Sequence, residues 1–162
     1  MHSQNAKLKS VEELLLIRKS LKNKGKTMVM TNGCFDILHG GHIHLFKQAK
    51  KKGDVLVVAL NDDSSIKKIK GPHRPVFKLA ERIEILAAVE FIDYLVSFQE
   101  ETPEKLISLI LPHVLVKGGD WTKDQIVGRK EVESAGGQVV SIPYLPGSSS
   151  TEVIERILRI KT

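Results

Sequence analysis

The stretch TMVMTNGCFDILHGGHIHLF, Thr27–Phe46, decides the fold. Its first six residues centre on the apolar run Met28-Val29-Met30 with no polar alternation, the pattern of a strand covered on both faces. From about Gly40 to Lys52 the apolar residues fall at helical spacing, and Gly53 ends the run. A covered strand that feeds a helix predicts an alternating α/β chain.

The rest of the chain repeats that alternation. DVLVVAL, DYLVSF, HVLVKG and QVVSIP read as four more strands. KLAERIEILAAVE reads as a helix, and TPEKLISLIL starts another, with Thr102 as N-cap and Pro103 at the first helical position. Further helices are expected near 123–135 and from about Ser150 to Ile160. Residues 61–75 are polar and basic and read as a loop with one helical turn at most. Ahead of the first strand, Ser10 and Glu13 have the spacing of a capping box for a helix over 10–24. We therefore expect one Rossmann-like, doubly wound parallel sheet in a single domain. Residues 1–25 form an N-terminal helical extension and residues 26–162 the main domain.

Composition narrows the function. At 162 residues, 41% hydrophobic and 27% charged, the chain can bury a real core. It has no apolar run near the roughly 18 residues that a membrane span needs. The N-terminus lacks the apolar stretch of a signal peptide, so a cytoplasmic location is expected. The lone cysteine, Cys34, excludes an internal disulfide. The net charge is +6, but aromatics make up only 5%. That leaves little for stacking bases, so small anionic substrates are expected rather than nucleic acid.

Parallel sheets bind ligands beyond the carboxyl ends of their strands. After the first strand, His39-Gly40-Gly41-His42 stands at a helix start. Exposed N–H groups and the positive end of the helix dipole favour an anion there. Two imidazoles three residues apart share a face. His-x-x-His lacks the four-residue spacing and the Glu of the common zinc helix, so no metal centre is expected. His44 points elsewhere. After the second strand come Asn61 and Asp62 at the site edge. Lys67, Lys68, Lys70 and Arg74 follow, as a second phosphate contact or a solvated charge run. After HVLV come Lys117, Gly118, Gly119, Asp120 and Trp121, a tight turn or a close approach to ligand. Ser149, Ser150 and Thr151 open the last helix and offer hydroxyls beside its free N–H groups.

These residues carry a resemblance. His39-x-Gly41-His42 resembles the H-x-G-H signature of the nucleotidyltransferase superfamily, and Ser149-Ser150-Thr151 its second signature, I-S-S/T-T. TNGCFDILHGGH, KGPHRPV, ETPEKLI, VLVKGGDW and VGRKEVESAGGQVV resemble the D-glycero-β-D-manno-heptose 1-phosphate adenylyltransferases, from about Lys26 to Ile160. That domain is often fused behind a sugar kinase, for which this length leaves no room, so the stand-alone form is expected.

The resemblance implies an enzyme that transfers AMP from ATP to the sugar 1-phosphate for lipopolysaccharide core synthesis. It implies Mg²⁺ on the ATP and a homodimer. It assigns the chemistry to His39, His42 and Lys70. Gly33, Phe35, Asp36, Gly41, Gly119, Asp120, Trp121, Ser149, Ser150 and Thr151 would hold the nucleotide, although Asp36 also reads as a helix-start carboxylate. Asn61, Asp62, Lys68, Arg74 and Lys117 would face the acceptor. Arg82 matches a frequent family arginine, as a site residue or as a helix brace.

The pattern departs from the superfamily where many members carry an Arg: Tyr144 stands there. Gly-Gly-Asp-Trp also resembles the Gly-Asp-Asp-Trp of glycerol-3-phosphate cytidylyltransferases. The alternatives are therefore a CTP-dependent enzyme of that kind, or a nucleotide-binding module without catalysis.

Overall fold

The structure is a computed structural model, and residues 5–147 and 149–160 are described here. Five strands form one parallel sheet: β1 (Met28–Gly33), β2 (Val55–Asn61), β3 (Tyr94–Phe98), β4 (Val114–Gly118) and β5 (Gln138–Ile142). Their order is β3-β2-β1-β4-β5. β1 is central, pairing Met30 with Val57 on one side and with Leu115 on the other.

Alternate side chains of each strand enter two separate cores, as the two-residue period requires. Met28, Met30, Val57 and Ala59 face one core. There they meet Leu14 and Leu21 of α1 (Val11–Asn23) and Leu106, Ile107 and Ile110 of α5 (Glu104–Ile110). Val29, Leu56, Val58 and Leu60 face the other. There they meet Leu45, Phe46 and Ala49 of α2 (Gly40–Lys50) and Leu86 of α4 (Leu79–Ala87). The fold is thus the expected α/β, doubly wound sheet. Helix α1 shares the main core, and just before it Leu8 bridges Leu95 of β3. Among the described residues, no helix is long and apolar enough to cross a membrane.

The chain runs differently from expectation in three places. Residues 63–70 form a two-turn helix, α3 (Asp63–Lys70), not a loop: Asp62 caps it, accepting from the Ser65 N–H at 2.8 Å, and Ile66 is buried. One helix expected over 123–135 is a 3₁₀ turn at Lys123–Gln125 and a separate α6 (Arg129–Ser134). Gly128 breaks the run with φ +85°, and a Cβ there would sit 2.6 Å from Ile107. Finally, α5 begins one residue later than expected, with Pro103 rather than Thr102 at the cap. The last helix, α7 (Ser150–Arg159), starts as expected with Ser149 as its cap.

Going from β1 the chain moves outward to β2 and β3, then crosses back to β4 on the other flank. The order therefore reverses between β1 and β4. A crevice opens beyond the carboxyl ends of those strands.

Candidate active site

The turn after β1 builds the floor of this crevice. Phe35 takes φ +45°, a strained left-handed conformation for a side chain with a Cβ. Its ring lies back over Gly33, where a Cβ would come within 2.9 Å of it. The ring meets His42 edge-on at 5.2 Å and Phe46 at 5.1 Å. Asp36 is buried and accepts from the N–H groups of Val76 and Phe77 and from Arg74 Nε at 2.6 Å. Burial alone would raise this carboxyl; those donors outweigh it and hold it below its ordinary range.

His39 and His42 close the first turn of α2 in an unusual capping box. The Gly41 N–H donates to His39 Nδ1 at 3.1 Å, and the His39 N–H donates to His42 Nδ1 at 3.4 Å. The rings stack at 3.8 Å. Because each Nδ1 accepts, the neutral rings carry their proton on Nε2. Burial lowers both pKa values. His42 falls to about 3, with the nearby His39 and Lys70 adding to the effect, while Glu152 opposes the drop at His39. At neutral pH the pair therefore presents two uncharged Nε2–H donors. Neither ring needs to titrate in order to bind an anion.

The low His42 pKa has a stability consequence. Between about pH 6.5 and pH 3 the unfolded His42 binds a proton that the folded one does not. Stability is therefore complete above pH 6.5 and falls as the pH drops through that window. Melting temperatures should fall from pH 7.5 to pH 5. The fall should be smaller in His42→Gln, which still offers an acceptor to the His39 N–H; equal falls would contradict the assignment.

Two adjoining cavities occupy the crevice. One, of about 410 Å³, is lined by Gly33, Phe35, His42, Asn61, Lys70, Lys117, Trp121 and Ser150 among the expected residues. The second, of about 390 Å³, is lined by His39, His42, Lys70, Ser149, Ser150 and Thr151. His42, Lys70, Tyr144 and Ser150 border both. Trp121 is fixed by its indole N–H on the Gly118 carbonyl at 3.0 Å, with Lys117 Nζ 5.7 Å from the ring. Burial depresses the Lys117 pKa, and Cys34 partly restores it. Burial pushes the Cys34 thiol up, which keeps it protonated and a poor nucleophile.

Of the residues expected at the site, Asp36, Gly41, Asp62, Lys67, Lys68, Arg74, Gly119 and Asp120 line neither cavity. Asp36 anchors the 74–77 segment. Arg74 is tied to Asp36 by Nε, with Nη2 buried and without a partner among the described residues. Asp62 caps α3. Lys68 lies about 200° around that helix from Lys70 and points to solvent. The Gly41 N–H is held by His39. Gly119 (φ +118°) is buried beneath Trp121 and Tyr144, where a Cβ would lie 2.7 Å from the indole. Asp120 is exposed.

The sequence reading missed Glu101, Thr102 and Gln125, which line the first cavity. It left open the role of Arg82, which is 1% exposed. Arg82 donates to the carbonyls of Cys34 (2.7 Å), Asn61 (2.8 Å) and Phe77 (3.1 Å) and to Asp63 (2.8 Å). It ties the ends of β1 and β2 to α3 and so acts as a brace beneath the site.

Comparison with known proteins fits this geometry. The signature of the Cytidylyltransferase-like family matches residues 30–156. The bifunctional protein HldE of Geobacter metallireducens is 48% identical over 159 residues, 98% of this chain and 32% of that protein. HldE of Haemophilus ducreyi is 49% identical over 150 residues, 93% and 32%. The chain thus spans about a third of the length of these relatives. The lipopolysaccharide core biosynthesis protein from Thermoplasma volcanium superposes with TM-score 0.63 at 30% identity, over 75% of this chain and 99% of that one. Pantoate-beta-alanine ligase from Francisella tularensis shares the fold at TM-score 0.59 and 19% identity, over 95% and 79%. With the family signature covering most of its length and a histidine pair at the switch point of its sheet, this chain belongs to the cytidylyltransferase-like family of nucleotidyltransferases.

Proposed function

We propose that this chain transfers the adenylyl group of ATP to D-glycero-β-D-manno-heptose 1-phosphate, releasing pyrophosphate and ADP-heptose for the lipopolysaccharide core. The observation that carries the proposal is the pair of neutral Nε2–H donors where two cavities adjoin, His42 on the wall they share and His39 beside it on the second. Two cavities with a common basic wall suit two anionic substrates that must meet at one phosphorus. The likeness to the HldE proteins and to the lipopolysaccharide core biosynthesis protein of Thermoplasma volcanium supports this reading.

The acceptor phosphate is already an anion, so no general base is required. One of its oxygens bonds to the α-phosphorus of ATP as the bond to the bridging oxygen of pyrophosphate breaks. The chain's task is alignment and stabilisation of the charge that develops. His39 and His42 donate to nucleotide phosphate oxygens. Ser149, Ser150 and Thr151 hold the same phosphates at the start of α7. Lys70, on the rim of both cavities, offsets the repulsion between the two substrates. Gly33, Phe35 and Trp121 form the nucleotide cleft, and Asn61 and Lys117 line the rest of the first cavity.

Among the described residues no three His, Cys, Asp or Glu side chains converge. Mg²⁺ bound with the ATP would be held largely by phosphate oxygens and water and would supply charge neutralisation there. Glu152, on the wall of the His39 cavity, is the chain's available carboxylate there. A cytoplasmic homodimer completes the proposal. The exposed Ile157, Leu158 and Ile160 at the end of α7 support assembly with a second copy.

Pyrophosphate release measured over a panel of ATP and CTP against heptose 1-phosphate and glycerol 3-phosphate tests the reading. ATP with the heptose should dominate. A preference for CTP with glycerol 3-phosphate would favour the cytidylyl alternative. ATP binding with no turnover on any acceptor would make the chain a binding module.

A further inference from the structure

Glu101 is the one carboxylate among the described residues lining the first cavity, whose charged partners there are Lys70 and Lys117. A carboxylate is a poor neighbour for two polyanions unless it faces an uncharged part of one of them. Its place in the fold supplies that part. Glu101 follows β3, the edge strand, and β3 lies two strands from β1. At about 4.8 Å per strand, Glu101 stands roughly 10 Å across the sheet from the turn that leads to the histidines. That is about the reach of a sugar phosphate whose phosphate lies at the centre. The opposite flank, beyond β4 and β5, is occupied by Trp121, Tyr144 and the start of α7.

The loop that carries Glu101 is fixed in place. The Glu100 carbonyl accepts from Ser65 Oγ at 2.7 Å and from Asn61 Nδ2 at 3.4 Å. Lys105 pairs with the Glu100 carboxylate at 3.1 Å, whereas Glu101, exposed and without an ion pair among the described residues, is the acid on the cavity lining. On the lining of the same cavity, Gln125 takes the Thr122 N–H on Oε1 at 3.1 Å, so its amide NH₂ remains as a donor. Thr102 adds a hydroxyl on the same wall. An acceptor, a donor and a hydroxyl together match the two-way hydrogen bonding of a polyol.

We propose that Glu101, with Gln125 and Thr102, is the hydroxyl-reading end of the acceptor pocket and sets its preference for a polyhydroxylated phosphate. The assignment rests on the adenylyl-transfer reading above. The test is a split of KM values in Glu101→Ala and Glu101→Gln, with ATP and heptose 1-phosphate varied in turn. Losing a hydrogen bond to a charged group should raise KM for the sugar phosphate about tenfold or more in Glu101→Ala, and less in Glu101→Gln. KM for ATP and the melting temperature should stay put. A rise in KM for ATP instead would place Glu101 at the nucleotide. No change in either KM would overturn the assignment.

If the wild type ignores heptose 1-phosphate but uses another panel acceptor, the parent reading falls. The same variants are then run on that acceptor. A selective KM rise for a hydroxylated one keeps Glu101 in this role, and an unchanged KM removes it. A wild type inert towards every acceptor overturns both.

Discussion

Replacing His42 by alanine is expected to lower kcat at least ~100-fold, the scale for losing one preorganised donor at a developing charge, with the fold retained. The ring borders both cavities, which in the proposed reaction would put its Nε2–H where the two substrates meet. Its direction is set in advance, because Nδ1 accepts the His39 N–H and the face is gripped by His39 and Phe35. Nothing must reorganise during the reaction, which is why one uncharged donor can matter so much. His44, one position beyond Ile43 on the same helix, lines neither cavity, and His44→Ala should change kcat by less than about threefold, far below that scale. Steady-state kinetics on both variants, with circular dichroism as a folding check, decide the point. Comparable effects would mean the catalytic wall is misplaced. Less than a tenfold loss in His42→Ala, well under that scale, would remove His42 from it.

Arg82→Met is expected to destabilise the fold by about 3–5 kcal/mol, the scale for several buried carbonyls each left unpaired at about 1–3 kcal/mol. The loss has two parts. Carbonyls of Cys34, Asn61 and Phe77 each lose a charged donor, and one left buried and unpaired costs about 1–3 kcal/mol. Asp63 also loses its partner; its side chain is 36% exposed, so solvent compensates much of that part. For a chain of this size the melting temperature should drop by roughly 10 °C or more. Arg82→Lys should recover little, because an ammonium cannot span four acceptors as the guanidinium fork does. Thermal unfolding of both variants tests this. A loss below about 1 kcal/mol, the size of an ordinary surface change, would contradict the bracing role.

The parts of the fold that were legible in the sequence are those written locally. Apolar strands, the Ser10–Glu13 box and the Ser149 cap each lie within a few residues of chain. The histidine pair was legible because Gly40 and Gly41 mark where a strand gives way to a helix. What was hidden depends on contacts distant in sequence. Asp36 looked like a cleft residue, but its carboxylate is taken by a segment about forty positions on. Lys68 and Lys70 look alike in sequence, and only the helix beneath them turns one to the cavity and the other to water. That helix was missed because α3 is short and basic, with its apolar anchor resting on Ile66. Glu101 opens the ETPEKLI stretch, which reads in sequence as a helix start rather than as part of the site. It joins the site only because the sheet order brings the end of β3 alongside that of β2.

Transfer of ATP's own α-phosphorus is the most direct measure of the central claim. With Mg²⁺, ATP labelled at that position and D-glycero-β-D-manno-heptose 1-phosphate, the label should move into ADP-heptose with one pyrophosphate released per product. Label that stays in ATP, or a nucleotidyl group that moves only from CTP to glycerol 3-phosphate, would contradict it.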